Sequence, residues 1–90
     1  MSAYRIRVKN SSVEKRWYAL NENYPEAMER CKTFLQNTPL DRLKSGGKLK
    51  KLKGKLSGIL QYDITDSLRV RYTVDNRERI VFVEYIGEHP

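Results

Sequence analysis

Seven basic residues and no acid lie in the run RLKSGGKLKKLKGK: Arg42, Lys44, Lys48, Lys50, Lys51, Lys53 and Lys55. The other 76 residues carry eleven basic and eleven acidic side chains, so this segment accounts for the whole formal charge of +7. Lys and Arg release condensed counterions from phosphates, and a cationic stripe that the fold has not diluted is most simply a polyanion site. A solvated Lys-rich loop and a contact for an acidic protein are the competing readings of the same composition. Further along, Arg69, Arg71 and Thr73 alternate with Leu68, Val70, Tyr72 and Val74, which is the period of a strand. One face of that strand is committed to a core. The other presents two guanidiniums, which bind phosphate bidentately without deprotonating.

Positioning these groups falls to an α+β domain. Tyr4, Ile6 and Val8 alternate with Arg5, Arg7 and Lys9 in a half-buried first strand. Ser11-Ser12-Val13-Glu14 reads as a capping box, and Val13, Trp17 and Leu20 follow at helical spacing. A second helix is predicted from Pro25, with the stripe Tyr24, Met28, Cys31 and Leu35, Phe34 alongside, and Pro39 beyond its end. The two helices should form a hairpin packed on one face of a mainly antiparallel sheet. Strands are then predicted at Ile59–Thr65, Leu68–Val74 and Arg79–Ile86, with turns at Asp66-Ser67 and Asp75–Glu78. The near-continuous apolar run of the last suggests a strand inside the sheet. The order is β-α-α-β-β-β in a single domain spanning residues 1–90. The face opposite the helices would set Arg69 and Arg71 beside the lysines in a basic concavity.

Other classes are excluded early. The longest apolar run, Ile80–Val83, is far too short for a membrane span. Met1–Asn10 lacks the apolar stretch of a signal peptide, so a cytoplasmic location is expected. One Cys and one His cannot supply a zinc site, no cofactor is implied, and Cys31 falls on an apolar helical stripe where a packed thiol is expected.

The C-terminal half resembles the RelE/ParE superfamily of bacterial toxins, in its RelE/YafQ-like branch. The resemblance rests on Leu52-Lys53-Gly54-Lys55-Leu56-Ser57-Gly58, on Leu68-Arg69-Val70-Arg71-Tyr72-Thr73-Val74, and on Ile80–Tyr85 ending in Ile86-Gly87-Glu88-His89. It covers about residues 49–89, and the preceding β-α-α order agrees with the family fold. It implies the toxin of a type II toxin–antitoxin pair, neutralised by an acidic antitoxin. RelE-like and YafQ-like members cut mRNA on the ribosome, whereas ParE-like members poison DNA gyrase. By the same resemblance Arg69 stands where the family arginine supports the scissile phosphate, and His89 where YafQ-like toxins carry a catalytic histidine. Three departures accompany it: Gln61-Tyr62-Asp63 replaces a strand that carries lysines in RelE-like enzymes, Leu68 replaces an aromatic, and the chain stops at Pro90.

Metal-free RNA cleavage needs a base for the 2′-hydroxyl, positive charge at the phosphorane and an acid for the 5′-oxygen. Arg69 can supply the charge with Arg71 assisting, unless it is tied to Asp63 or Glu84 in a cross-strand salt bridge. His89 has the unperturbed pKa that suits a general acid. Asp63 is the candidate base, with Asp66 nearby in a turn-forming position. Tyr62 and Tyr85 could stack a base, and Lys48, Lys50, Lys51, Lys53 and Lys55 would hold the RNA or ribosomal RNA backbone. The expected partners are therefore the antitoxin, the ribosome and mRNA. A gyrase inhibitor and a catalytically weakened, antitoxin-binding relative are the alternatives.

Overall fold

Alternating side chains form most of the sheet, and two apolar helical stripes cover one side of it. The structure, a computed structural model, describes residues 3–88. The elements are β1 (Arg5–Val8), α1 (Ser11–Asn23), α2 (Pro25–Asn37), β2 (Leu49–Lys51), a short 3-10 turn (Gly54–Leu56), β3 (Leu60–Asp63), β4 (Leu68–Asp75) and β5 (Ile80–Glu88). Sheet order is β1-β5-β4-β3-β2; β1 runs parallel to β5 and every other pairing is antiparallel. This is the expected α+β architecture, with one strand more than the sequence pattern indicates.

The added strand is β2, inside the lysine stripe. Only Leu49 of its three residues is buried, while Lys50 and Lys51 are exposed, so it carries no apolar alternation to read. Short length and lysines also suit a sheet edge, because they discourage pairing with other chains.

Helix α1 starts one residue earlier than its capping-box pattern indicates. Asn10 is the N-cap, and its side-chain oxygen accepts a hydrogen bond from the Val13 amide at 3.0 Å. Tyr24 alone joins the helices; it is exposed at the joint rather than part of the α2 stripe. Below it Met28, Cys31, Phe34 and Leu35 pack against Tyr62, Val70, Tyr72, Val81 and Val83, and Trp17 and Leu20 close the core from α1. The buried Tyr72 hydroxyl donates to the Pro39 carbonyl at 2.6 Å, tying the end of the hairpin to the middle strand. Burial pushes the Cys31 thiol up to about 12 and raises Tyr72 as well, so both stay neutral in the fold.

A bulge in β5 decides which side chains reach the other face. Tyr72 pairs with Val83 but Arg71 pairs with Tyr85, leaving Glu84 as an extra residue. Val81 and Val83 face the helices, and strict alternation would have sent Tyr85 there too. The bulge reverses the phase: Ile86 enters the core opposite Val70, and Tyr85 turns to the open face beside Arg71.

Candidate nucleic-acid interface

Register fixes the residues of the open face. Gln61 and Asp63 of β3 lie across from Arg71 and Arg69 of β4, which lie in turn across from Tyr85 and Gly87 of β5. Lys50 of β2 lies across from Gln61. The period-two reading of β4 therefore holds, and Arg69, Arg71, Asp63, Tyr85 and Lys50 are brought together.

A polar chain crosses this face. The Arg71 Nε donates to Gln61 Oε1 at 3.2 Å, Gln61 Nε2 donates to Asp63 Oδ1 at 3.2 Å, and Asp63 Oδ2 pairs with Lys50 Nζ at 3.2 Å. Gln61, only 4% exposed, is the buried hub of the chain and was not singled out from sequence. Each link orients the next, so Arg71 and Asp63 are held rather than free to swing.

Arg69 is outside this chain. Its expected carboxylate partners are engaged elsewhere: Asp63 with Lys50, and Glu84 with Lys9 at 3.6 Å. Among the described residues Arg69 takes part in no ion pair, and its Nε is buried without a hydrogen-bond partner. A buried donor left unsatisfied costs about 1–3 kcal/mol, and an anionic oxygen arriving from solvent would satisfy it. The residue opposite Arg69 is Gly87, at φ +146°, which adds no side chain of its own to the face there.

Tyr85 lies between two arginines. The Arg71 Cζ is 6.0 Å from the ring centroid and the Arg16 Cζ, reaching over from α1, is 5.7 Å from it. The Tyr85 hydroxyl donates to the Glu88 carbonyl at 2.6 Å, which fixes the ring. Arg16 carried no signal in the sequence, since only the packing of α1 against β5 brings it here.

Two expectations fail. Tyr62 does not stack bases: it is 5% exposed and lies on the helix side with Leu60 and Ile64, its ring stacked on Phe34 at 4.7 Å. Nor is the lysine stripe one surface. Lys51 shares the helix side with its partner Leu60, and Lys48 Nζ stands 6.0 Å from the Tyr62 ring beside α2. Lys50 faces the open side, while Lys53 and Lys55 are exposed around the 3-10 turn. His89 lies outside the described residues. Asp66 is exposed in the β3–β4 turn, away from the Asp63–Lys50 pair.

No family model and no curated protein sequence matches this chain. Solved structures do. The YoeB/ParE toxin from Agrobacterium tumefaciens superposes with a TM-score of 0.75 at 22% identity, covering 96% of this chain and 99% of that one. An archaeal RelE–RelB complex from Pyrococcus horikoshii gives 0.69 at 21% identity, over 98% and 96% of the two chains. YafQ from E. coli gives 0.66 at 14% identity, over 96% and 93%. What is shared at these identities is the architecture: the two helices on a five-stranded, mostly antiparallel sheet described above are the fold that these toxin structures have.

Proposed function

We propose that this chain is the toxin of a type II toxin–antitoxin pair and cleaves mRNA on the ribosome. The observation that carries the reading is Arg69, a guanidinium without a carboxylate partner among the described residues, whose buried Nε lacks an acceptor on an otherwise hydrogen-bonded face. In the reaction the 2′-hydroxyl loses its proton and its oxygen bonds to the adjacent phosphorus. The bond to the 5′-oxygen then breaks, leaving a 2′,3′-cyclic phosphate, and the leaving oxygen takes up a proton. Arg69 stabilises the charge of the phosphorane, with Arg71 beside it. Asp63, kept in place by Lys50 and Gln61, is the candidate base, and His89 is the candidate acid. Lys50, Lys53 and Lys55 attract the backbone, and Tyr85 offers a ring for a base to stack on.

The partner is an acidic antitoxin segment that covers Arg69 and Arg71, in keeping with the RelE–RelB and YoeB–YefM complexes among the similar structures. Among the described residues no helix is long and apolar enough to cross a membrane, and the proposed site of action is the cytoplasm.

Inducing the chain in bacteria and mapping mRNA ends and DNA breaks in one culture tests the reading. Codon-phased mRNA ends are expected. Double-strand DNA breaks with intact mRNA would instead identify a gyrase poison. A second reading, a weakened relative that only binds antitoxin, is favoured by the engagement of Asp63 with Lys50; unaffected growth would select it.

A further inference from the structure

We propose that Arg16, on α1, is a second phosphate-binding residue of this site and holds the nucleotide flanking the one gripped by Arg69. The proposal rests on the reading that the open face binds RNA. Three guanidiniums converge at one corner of the sheet. Arg16 and Arg71 both attend the Tyr85 ring, and Arg69 stands across the ladder from Gly87. Arg16 Nη1 lies 3.5 Å from where a Cβ on Gly87 would sit, so it hangs over the gap opposite Arg69. None of the three is ion-paired among the described residues. Two acids are at hand: Asp63, already paired with Lys50, and Glu88, which shares the adjoining cavity. Three guanidiniums around a buried donor lacking an acceptor still leave positive charge in excess and favour an anion.

The corner also opens into a cavity of about 440 Å³ whose lining includes Arg16, Leu20, Tyr24, Leu68, Tyr85 and Glu88. Apolar and aromatic walls with a guanidinium among them suit a nucleotide: base against the tyrosines, phosphate on Arg16. The location has a topological cause. β1 pairs with β5 only as far as Val83, so the remainder of that β5 edge is left to α1, and Arg16 reaches the open face around it.

The test is binding of a short single-stranded oligoribonucleotide across a salt series, for the wild type, Arg16→Gln and Lys15→Gln. Gln keeps helix propensity, both positions are exposed, and Lys15→Gln removes the same charge one residue away. Arg16→Gln should weaken binding about 10–100-fold, the loss of one charge-assisted hydrogen bond. Its salt slope should flatten by about 0.7, while Lys15→Gln stays near wild type. Equal effects of the two variants would reduce Arg16 to diffuse charge and overturn the inference, leaving the nuclease reading intact. If the wild type binds no RNA, the nuclease reading fails, and a titration with inorganic phosphate followed by NMR decides the site by itself. Shifts at Gly87 and the Arg16 side chain that vanish in Arg16→Gln would sustain it, and their absence would end it.

Discussion

Gly87 lies directly across the β4–β5 ladder from Arg69, and a Cβ there would come within 3.3 Å of the Tyr85 hydroxyl and 3.5 Å of Arg16 Nη1. A residue without a side chain therefore faces the only buried guanidinium nitrogen among the described residues that lacks an acceptor, and the open corner depends on both.

Replacing Arg69 should separate activity from stability. Arg69→Met keeps the aliphatic stem and removes the buried unsatisfied Nε, so its melting temperature should equal or exceed that of the wild type. Cleavage in a reconstituted translation system should fall about 10²–10³-fold with the loss of a charge-stabilising donor. His89→Ala should slow cleavage by about 10²–10⁴ while ribosome binding persists. A large loss of stability in Arg69→Met would show that the guanidinium holds the fold.

Gly87→Ala should damage both properties. At φ +146° an L side chain is strained, at about 1–3 kcal/mol, and the new methyl presses on Tyr85 and Arg16. Denaturant unfolding should record that loss, and RNA affinity should drop further than stability explains. Wild-type affinity in a destabilised Gly87→Ala protein would separate this corner from the binding surface.

The lysines should fall into two groups. Lys50→Gln removes an open-face charge and the partner of Asp63, so RNA binding should weaken and its salt slope flatten by about 0.7. Lys48→Gln and Lys51→Gln, on the helix side, should leave the slope nearly unchanged. A uniform response to all three substitutions would mean that the strand register does not sort these contacts.

Two tyrosines should behave oppositely. Tyr62→Ala removes a ring stacked on Phe34 in the core and should cost about 3–5 kcal/mol of stability. Tyr85→Ala should cost little stability and about 1–3 kcal/mol of RNA binding energy. Urea unfolding and fluorescence anisotropy on the same pair of proteins check this, and equal stability losses would refute it.

Cys31 should resist thiol reagents until the protein unfolds, because its thiol is buried and its pKa is pushed up from 9.0 to about 12. The folded-state value is the raised one, so the unfolded chain deprotonates first. That contribution to stability is complete below pH 9 and is lost as pH rises toward 12. Cys31→Ala lowers stability by leaving a cavity, but it should flatten the decline between those limits. A decline of unchanged steepness would assign it to the raised tyrosines, Tyr62 and Tyr72.

Local pattern determined much of this protein. Alternation along Leu68–Val74 settles which side of β4 is core, since side-chain direction has a period of two, and it places Arg69 and Arg71 on the free face before any contact is known. Pro25 and the stripe Met28, Cys31 and Leu35 likewise mark α2 and its buried side. Charge is legible as composition but not as surface: the lysines from 48 to 55 are one run in sequence, and only strand pairing sends Lys50 to one face and Lys51 to the other. Tyr62 and Tyr85 are both aromatic residues in strands, and nothing local distinguishes them. A register places the first on Phe34, and a bulge turns the second outward. Arg69 could have been a salt-bridged strand residue until Asp63 was seen with Lys50 and Glu84 with Lys9. Arg16 is the extreme case, since it joins Tyr85 only because β1 ends at Val8 and α1 takes over the remaining edge of β5. Side-chain direction within one element follows from covalent geometry and can be read along the chain. Which elements meet, and which charges find partners, is set by the packing of the whole core.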